Sequence, residues 1–217
     1  MAPRETRLVL IRHAESYAQV DRLVSGHETC SGLSNLGQRQ ARALLDRLYA
    51  TGEIHPQAIY TSLLPRAIET AEIIRPALGT HLEVQRDCDW CEIHPGEAGG
   101  LTWAGLRDRY PPDGDPDDPF RRRLPGMETW AEMYLRVGAR LTQAAADHAG
   151  GCVVVVAHGG TVGASFISLG GLPIPYGAAL SRGTHNASIT EWVRDGVAWR
   201  LGRYNDTAHL GRLERHA

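Results

Sequence analysis

The sequence predicts an α/β fold, a three-layer sandwich whose mostly parallel sheet carries helices on both faces. Three observations predict it. The runs Leu8-Val9-Leu10-Ile11 and Val153-Val154-Val155-Val156 lack polar alternation, as strands covered on both sides do. Segments with apolar residues at helical spacing lie between such runs. Near the end, Asp195-Gly196 between two β-type stretches marks a hairpin with a tight turn.

Each element has its own signal. Leu8–Ile11 is the first strand. Ser34 is a good N-cap for a helix to about Ala50, in which Ala41, Leu44, Leu45 and Leu48 share one face and Gly52 supplies the stop. Ala58-Ile59-Tyr60-Thr61 is a second strand. Pro65 suits a helix first turn, which Ala67 to Ile74 continue. Leu82-Glu83-Val84 is a weaker strand. Thr129-Trp130-Ala131-Glu132 is a capping box opening a long helix that Gly150-Gly151 ends. Val153–Val156 is the clearest strand, and a helix follows from about Thr161 to Leu169. Residues 188–193 and 197–203 flank the hairpin turn. Residues 110–125 hold five prolines, several aspartates and Arg121-Arg122-Arg123, which exclude a core helix or strand. A lid inserted around residues 103–125 of a single domain, 1–217, is therefore expected.

The 217 residues are 42% apolar and 22% charged, with a formal net charge of -2. That balance excludes a basic nucleic-acid arm or an acidic tail, so no nucleic-acid partner is expected. No apolar run approaches the roughly 18–20 residues of a membrane span. The apolar stretch near the amino terminus is too short for a signal peptide. A cytoplasmic protein with no membrane partner is expected. Cys30, Cys88, Cys91 and Cys152 make no disulfide framework at this length.

Ligands of open α/β sheets bind beyond the carboxyl ends of the strands. Arg12-His13-Ala14-Glu15-Ser16 follows the first strand, Ser62-Leu63-Leu64-Pro65-Arg66 the second, and His158-Gly159-Gly160 the Val153–Val156 strand. Glu92 follows the weak third strand. Arginine forks match phosphate oxygens, histidine is an uncharged nucleophile near neutral pH, and a glutamic acid protonates a leaving oxygen. Two arginines, two histidines and a carboxylate on one sheet edge ask for a phosphate ester.

The stretch Leu8 to Ser16 resembles the R-H-G-E-[ST] signature of the histidine phosphatase superfamily, in its phosphoglycerate mutase-like branch. Leu33-Ser34-Asn35-Leu36-Gly37 with Gln40-Ala41 is similar to the family's L-[ST]-x-x-G-x-x-Q-A helix start. Ser62 to Ala71 is similar to its S-x-x-x-R-A-x-x-T-A segment, Val155 to Gly160 to its V-x-H-G-G, and Asn186 to Thr190 to its late strand. The resemblance runs in family order from about residue 7 to residue 209. It implies that His13 is the nucleophile, forming a phosphohistidine, that Arg12, Arg66 and His158 hold the phosphoryl oxygens, and that Glu92 is the proton donor. It implies a substrate-binding set of Arg12, Gln19, Ser25, Gly26, Arg66 and Gly159. Ala14 stands where the family usually has glycine, and Gln19 where many members have asparagine. Glu97 rivals Glu92 on spacing alone.

The implied function is a phosphomonoesterase acting on a small phosphorylated metabolite. The alternatives are a cofactor-dependent phosphoglycerate mutase and a non-catalytic phospho-ligand binding module. Glu92-Ile93-His94-Pro95-Gly96 departs from the mutases' E-R-H-Y-G type, and the retention of all five groups argues against the binding module. No cofactor and no metal are expected. Cys88-x-x-Cys91 with His94 nearby hints at zinc, yet a structural site needs four ligands and no second pair is evident, so ordinary thiols are the reading. Glu15 and Ser16 are either helix-start residues or supports of the phosphate loop. His81, His148 and His209 read as solvated or helix-end residues, and Trp103, Trp130 and Tyr134 as core and lid packing. Arg121–Arg123 read as a solvated lid surface, or alternatively as contacts to a second anionic group. Substrate identity, and the choice between monomer and homodimer, stay open at this point.

Overall fold

The computed structural model describes residues 5–111, 114, 115, 118–211 and 213. From β1 (Thr6–Arg12) the chain passes through a single-turn α1 (Tyr17–Val20) and α2 (Asn35–Thr51) to β2 (Ala58–Thr61). It continues through α3 (Pro65–Leu78) to β3 (Val84–Arg86) at one sheet edge. It then reverses through α4 (Trp103–Arg109) and α5 (Trp130–Asp147) to β4 (Cys152–Ala157), which inserts between β2 and β1 and runs parallel to both. After α6 (Gly159–Ser168) and α7 (Ile174–Gly183), β5 (Ile189–Asp195) and β6 (Ala198–Asp206) add an antiparallel edge. The order is β3-β2-β4-β1-β5-β6.

The two faces follow from handedness. Right-handed crossovers made in opposite directions along a sheet lie on opposite faces. α2 and α3, laid down in one direction, pack their Leu44, Leu48, Ala71 and Ile74 against Val9, Ile11, Ile59, Val154 and Val156. α5 and α6, laid down after the reversal, pack Tyr134, Val137, Leu141 and Val162 against Leu8, Leu10, Tyr60, Val153 and Val155. Successive residues of β1 and β4 thus enter different cores, which is why those runs have no polar alternation. Each such side chain contributes about 1.5–3 kcal/mol by leaving water. Among the described residues, no helix is long and apolar enough to cross a membrane.

Ser34 and Thr129 cap α2 and α5 as expected, the latter in a full capping box with Glu132. Four details differ from expectation. β3 starts at Val84 rather than Leu82, because Leu82 closes a turn on Gly79 and packs partly buried under the α2–α3 face. α3 runs past Pro76 to Leu78, since a proline in the last turn removes one hydrogen bond while Leu78 is buried. The hairpin loop is Gly196-Val197, with Asp195 paired to Ala198. Gly196 has φ +72 and Val197 is not among the positive-φ residues, the pattern of a II′ turn. His209 is not solvated: it lies partly buried with Arg47 Nη1 3.4 Å from its Nδ1, and burial pushes its pKa down to about 4.

Candidate active site

β2, β4 and β1 are neighbours, so the residues just past their carboxyl ends converge. His13 follows β1 and is buried. Its Nδ1 lies 2.7 Å from Ala14 O, and a carbonyl only accepts, so Nδ1 carries the ring proton. Nε2 is left with its lone pair and receives Arg66 Nε–H at 3.1 Å. Burial, then Arg66 and Arg12, holds the His13 pKa well below the usual imidazole range. A neutral ring with an unprotonated Nε2 is the nucleophilic form.

His158 is the N-cap residue of α6 and packs edge-on to His13, with centroids 5.2 Å apart. Its Nε2 is 2.8 Å from Ser62 Oγ, which accepts from Leu64 N–H at 3.3 Å and keeps its own proton for the ring. That network favours the proton on Nδ1, a buried atom with no protein partner. Burial, and next the Arg66 charge, keeps this ring neutral too. Arg12 bonds the Thr184 carbonyl through Nη1, while its Nε is likewise buried without a partner. Burial lowers its pKa to about 10, opposed by Glu92, so it remains a cation at neutral pH. Arg66 sits on the first turn of α3, and its Nη1 also reaches Ser25 Oγ at 3.1 Å and Cys30 Sγ at 3.3 Å. The guanidinium groups of Arg12 and Arg66, the His13 lone pair and the orphaned Arg12 Nε and His158 Nδ1 donors gather in one cluster, a set that a tetrahedral oxyanion satisfies.

Glu92 Oε2 accepts from Gly160 N–H at 3.1 Å, and Oε1 from Ile93 N–H at 3.2 Å. A Cβ on Gly160 would stand 2.0 Å from Glu92 Oε1, so glycine is what lets the carboxylate reach the α6 amino end. Glu97 is elsewhere: exposed, it accepts from Tyr110 Oη at 2.8 Å.

The other anticipated residues sort by contact. Gln19 completes the capping box on Ser16 and pairs with Asn186, whose Nδ2 donates to His13 O at 3.0 Å. It stands behind His13, and Ser16 has the helix-start role. Glu15 accepts from Ser34 Oγ at 2.7 Å, tying the loop after His13 to α2. Gly26 gives its N–H to Thr29 Oγ1 at 2.9 Å. Gly159 lies where a Cβ would meet Ser181 O at 2.5 Å, so α7 demands it. Ala14 is not among the positive-φ residues and its N–H bonds Thr70 Oγ1, so alanine fits there without strain. His185 pairs with Asn205. Arg122 is bound to Glu132 and the Met127 carbonyl. Ser62, Thr184, Asn186 and Gly160 shape the site and escaped sequence reasoning as roles, although Ser62, Asn186 and Gly160 lie in the quoted motifs. His27 escaped it altogether: the structure brings it beside Cys88, Cys91 and His94.

A buried neutral histidine at a strand end, flanked by two guanidinium groups and a second histidine on an α/β sheet, is the site of a protein that handles phosphoryl groups. The profile of the "Histidine phosphatase superfamily (branch 1)" matches residues 8–207, and the chain belongs to that family. It is 33% identical over 233 aligned positions to the glucosyl-3-phosphoglycerate phosphatase of Mycobacterium tuberculosis, covering 95% of this chain and 97% of the relative. It is 30% identical to phosphoserine phosphatase 1 of Hydrogenobacter thermophilus, covering 94% of each. Among solved structures, Bacillus stearothermophilus YhfR superposes with a TM-score of 0.82 at 28% identity, over 94% of this chain and 99% of that one.

Proposed function

We propose that this chain is a phosphomonoesterase that hydrolyses a small phosphorylated metabolite through a phosphohistidine on His13. The observation that carries the reading is the His13 ring: Nδ1–H on the Ala14 carbonyl, Nε2 unprotonated and beside Arg66. Two family relatives named as phosphatases support it. Nε2 attacks phosphorus as the ester P–O bond breaks, and Glu92 in its acid form gives the leaving alkoxide its proton. Water then attacks the phosphohistidine, gives its proton to the Glu92 carboxylate, and inorganic phosphate leaves. Arg12, Arg66 and the Nδ1–H of His158 stabilise the equatorial oxygens throughout. These groups lie in one chain, and the absence of disulfides among its four cysteines suits a cytoplasmic setting.

The test is phosphate release from p-nitrophenyl phosphate and from a panel including phosphoserine and glucosyl-3-phosphoglycerate. Wild type should turn over at least one ester, and His13→Ala should lose about 10³-fold or more, as loss of a covalent nucleophile does. Normal turnover by folded His13→Ala would overturn the mechanism. Phosphoryl transfer between phosphoglycerates without net phosphate release would establish the mutase instead.

A further inference from the structure

We infer that His27, Cys88, Cys91 and His94 form a structural zinc site that clamps the loop carrying Glu92 to the loop that contacts Arg66. The four donor atoms all lie within 4.8 Å of one another. His27 Nε2 is 3.1 Å from Cys91 Sγ and 3.9 Å from Cys88 Sγ, and His94 Nε2 is 3.6 Å from Cys88 Sγ. Zinc bonds of about 2.0–2.1 Å to nitrogen and about 2.3 Å to sulfur give a tetrahedron with edges of about 3.3–3.8 Å. The observed spacings bracket those edges. The two imidazoles meet edge-on, at 81° between planes, with centroids 5.8 Å apart.

The surroundings are built to present these donors. Cys88–Trp90 is one turn of 3-10 helix capped by Asp87, and Cys91 N–H closes back on Cys88 O at 2.9 Å, placing both thiols on one side. Arg136 of α5 donates to the carbonyls of Cys88, Asp89 and Cys91 at 3.0–3.2 Å and is itself gripped by Glu128. Glu128 Oε2 accepts His94 N–H at 3.2 Å and lies 3.7 Å from the ring Nδ1, the carboxylate that commonly orients a metal-bound histidine. Two thiolates neutralise Zn²⁺, and four protein ligands leave no open position, so the ion is structural rather than catalytic.

Its consequence is positional. Glu92 lies between Cys91 and His94 in the chain, and His27 is two residues from Ser25, the partner of Arg66. One ion therefore ties the carboxylate's loop to the loop that holds the guanidinium, 61 residues away in sequence. The chemistry at His13 does not pass through it.

The experiment measures zinc in the protein purified under reducing conditions, then titrates the metal-stripped chain with Co²⁺. One Zn²⁺ per chain is expected, and Co²⁺ should give thiolate charge-transfer and tetrahedral d–d bands. Cys91→Ser should weaken the charge-transfer band, and His27→Ala, an exposed position that should leave the circular dichroism unchanged, should lower Co²⁺ affinity by about tenfold or more. His13→Ala should retain the metal, which separates this site from the phosphatase reading. Failure of the reduced chain to take up one equivalent of Zn²⁺ or Co²⁺ at micromolar concentration would overturn the site. Uptake without thiolate bands, or uptake indifferent to both ligand substitutions, would do the same.

Discussion

The chemistry of His13 turns on which of its nitrogens keeps the proton, and a single carbonyl decides it. Ala14 O holds Nδ1–H, so Nε2 carries the ring's lone pair and faces Arg66 Nε. Because burial and two nearby cations depress the pKa, the ring stays neutral as pH falls through the usual imidazole range near 6.5. The His13 and His158 imidazole resonances should therefore keep their neutral shifts between about pH 7.5 and 6, and protonation of either in that interval would contradict the assignment. Glu92→Gln should cost far more on an alkyl phosphate than on p-nitrophenyl phosphate, whose leaving group needs no proton. Equal losses on the two esters would move the acid role away from Glu92. Gly160→Ala should reproduce that pattern, since the new Cβ falls 2.0 Å from the carboxylate and also 2.6 Å from Met133 Cε.

At the scale of elements, α2 shows why a glycine sits in its first turn. A Cβ at Gly37 would lie 1.9 Å from Glu15 O, in the loop that leaves His13. Alanine gains about 1 kcal/mol over glycine in a helix interior, but overpacking against backbone costs about 1–3 kcal/mol, so the clash wins. Gly37→Ala should lower stability in chemical denaturation and slow turnover with it, by tilting α2 off the loop that leaves His13. A stabilised, fully active Gly37→Ala would refute that contact. The segment around α4 is pinned near Glu92 by the Pro95–Met127 bridge and by Glu97 N–H on Pro125 O. Glu97 is thus tied to Tyr110, away from the Gly160 N–H that Glu92 accepts.

The whole molecule carries a pH signature. His13 and His158 are folded in with pKa values well below the unfolded one, and His209 is pushed down to about 4. Below about pH 6.5 the unfolded chain binds protons that the folded chain refuses, so stability is full above that pH and falls as pH drops. The slope reaches about 1.4 kcal/mol per pH unit for each neutral histidine. Asp206, held at about 2 by Arg47, adds its own loss further into acid, below its unfolded pKa. Denaturant midpoints should therefore decline from pH 7 to 5, and a constant midpoint across that interval would disprove the linkage.

Local signals carried the strands, the caps and the strand-end motifs, because a buried run, an N-cap or a family signature is written within a few neighbouring residues. Leu8–Ile11, Ser34, Thr129, Arg12-His13 and His158-Gly159 were legible for that reason. The II′ loop at Gly196-Val197 and the bounds of β3 shifted by a residue or two because cross-strand pairing, not propensity, sets them. Tertiary structure alone supplied the His13 tautomer, the seat of Glu92 on the Gly160 N–H and the approach of His27 to Cys88-x-x-Cys91, whereas the family motif already favoured Glu92 over Glu97. Apart from the Nδ1–H held by the adjacent Ala14 carbonyl, each is a contact between segments far apart in the chain, and such contacts exist only once the crossovers have stacked both faces of one sheet.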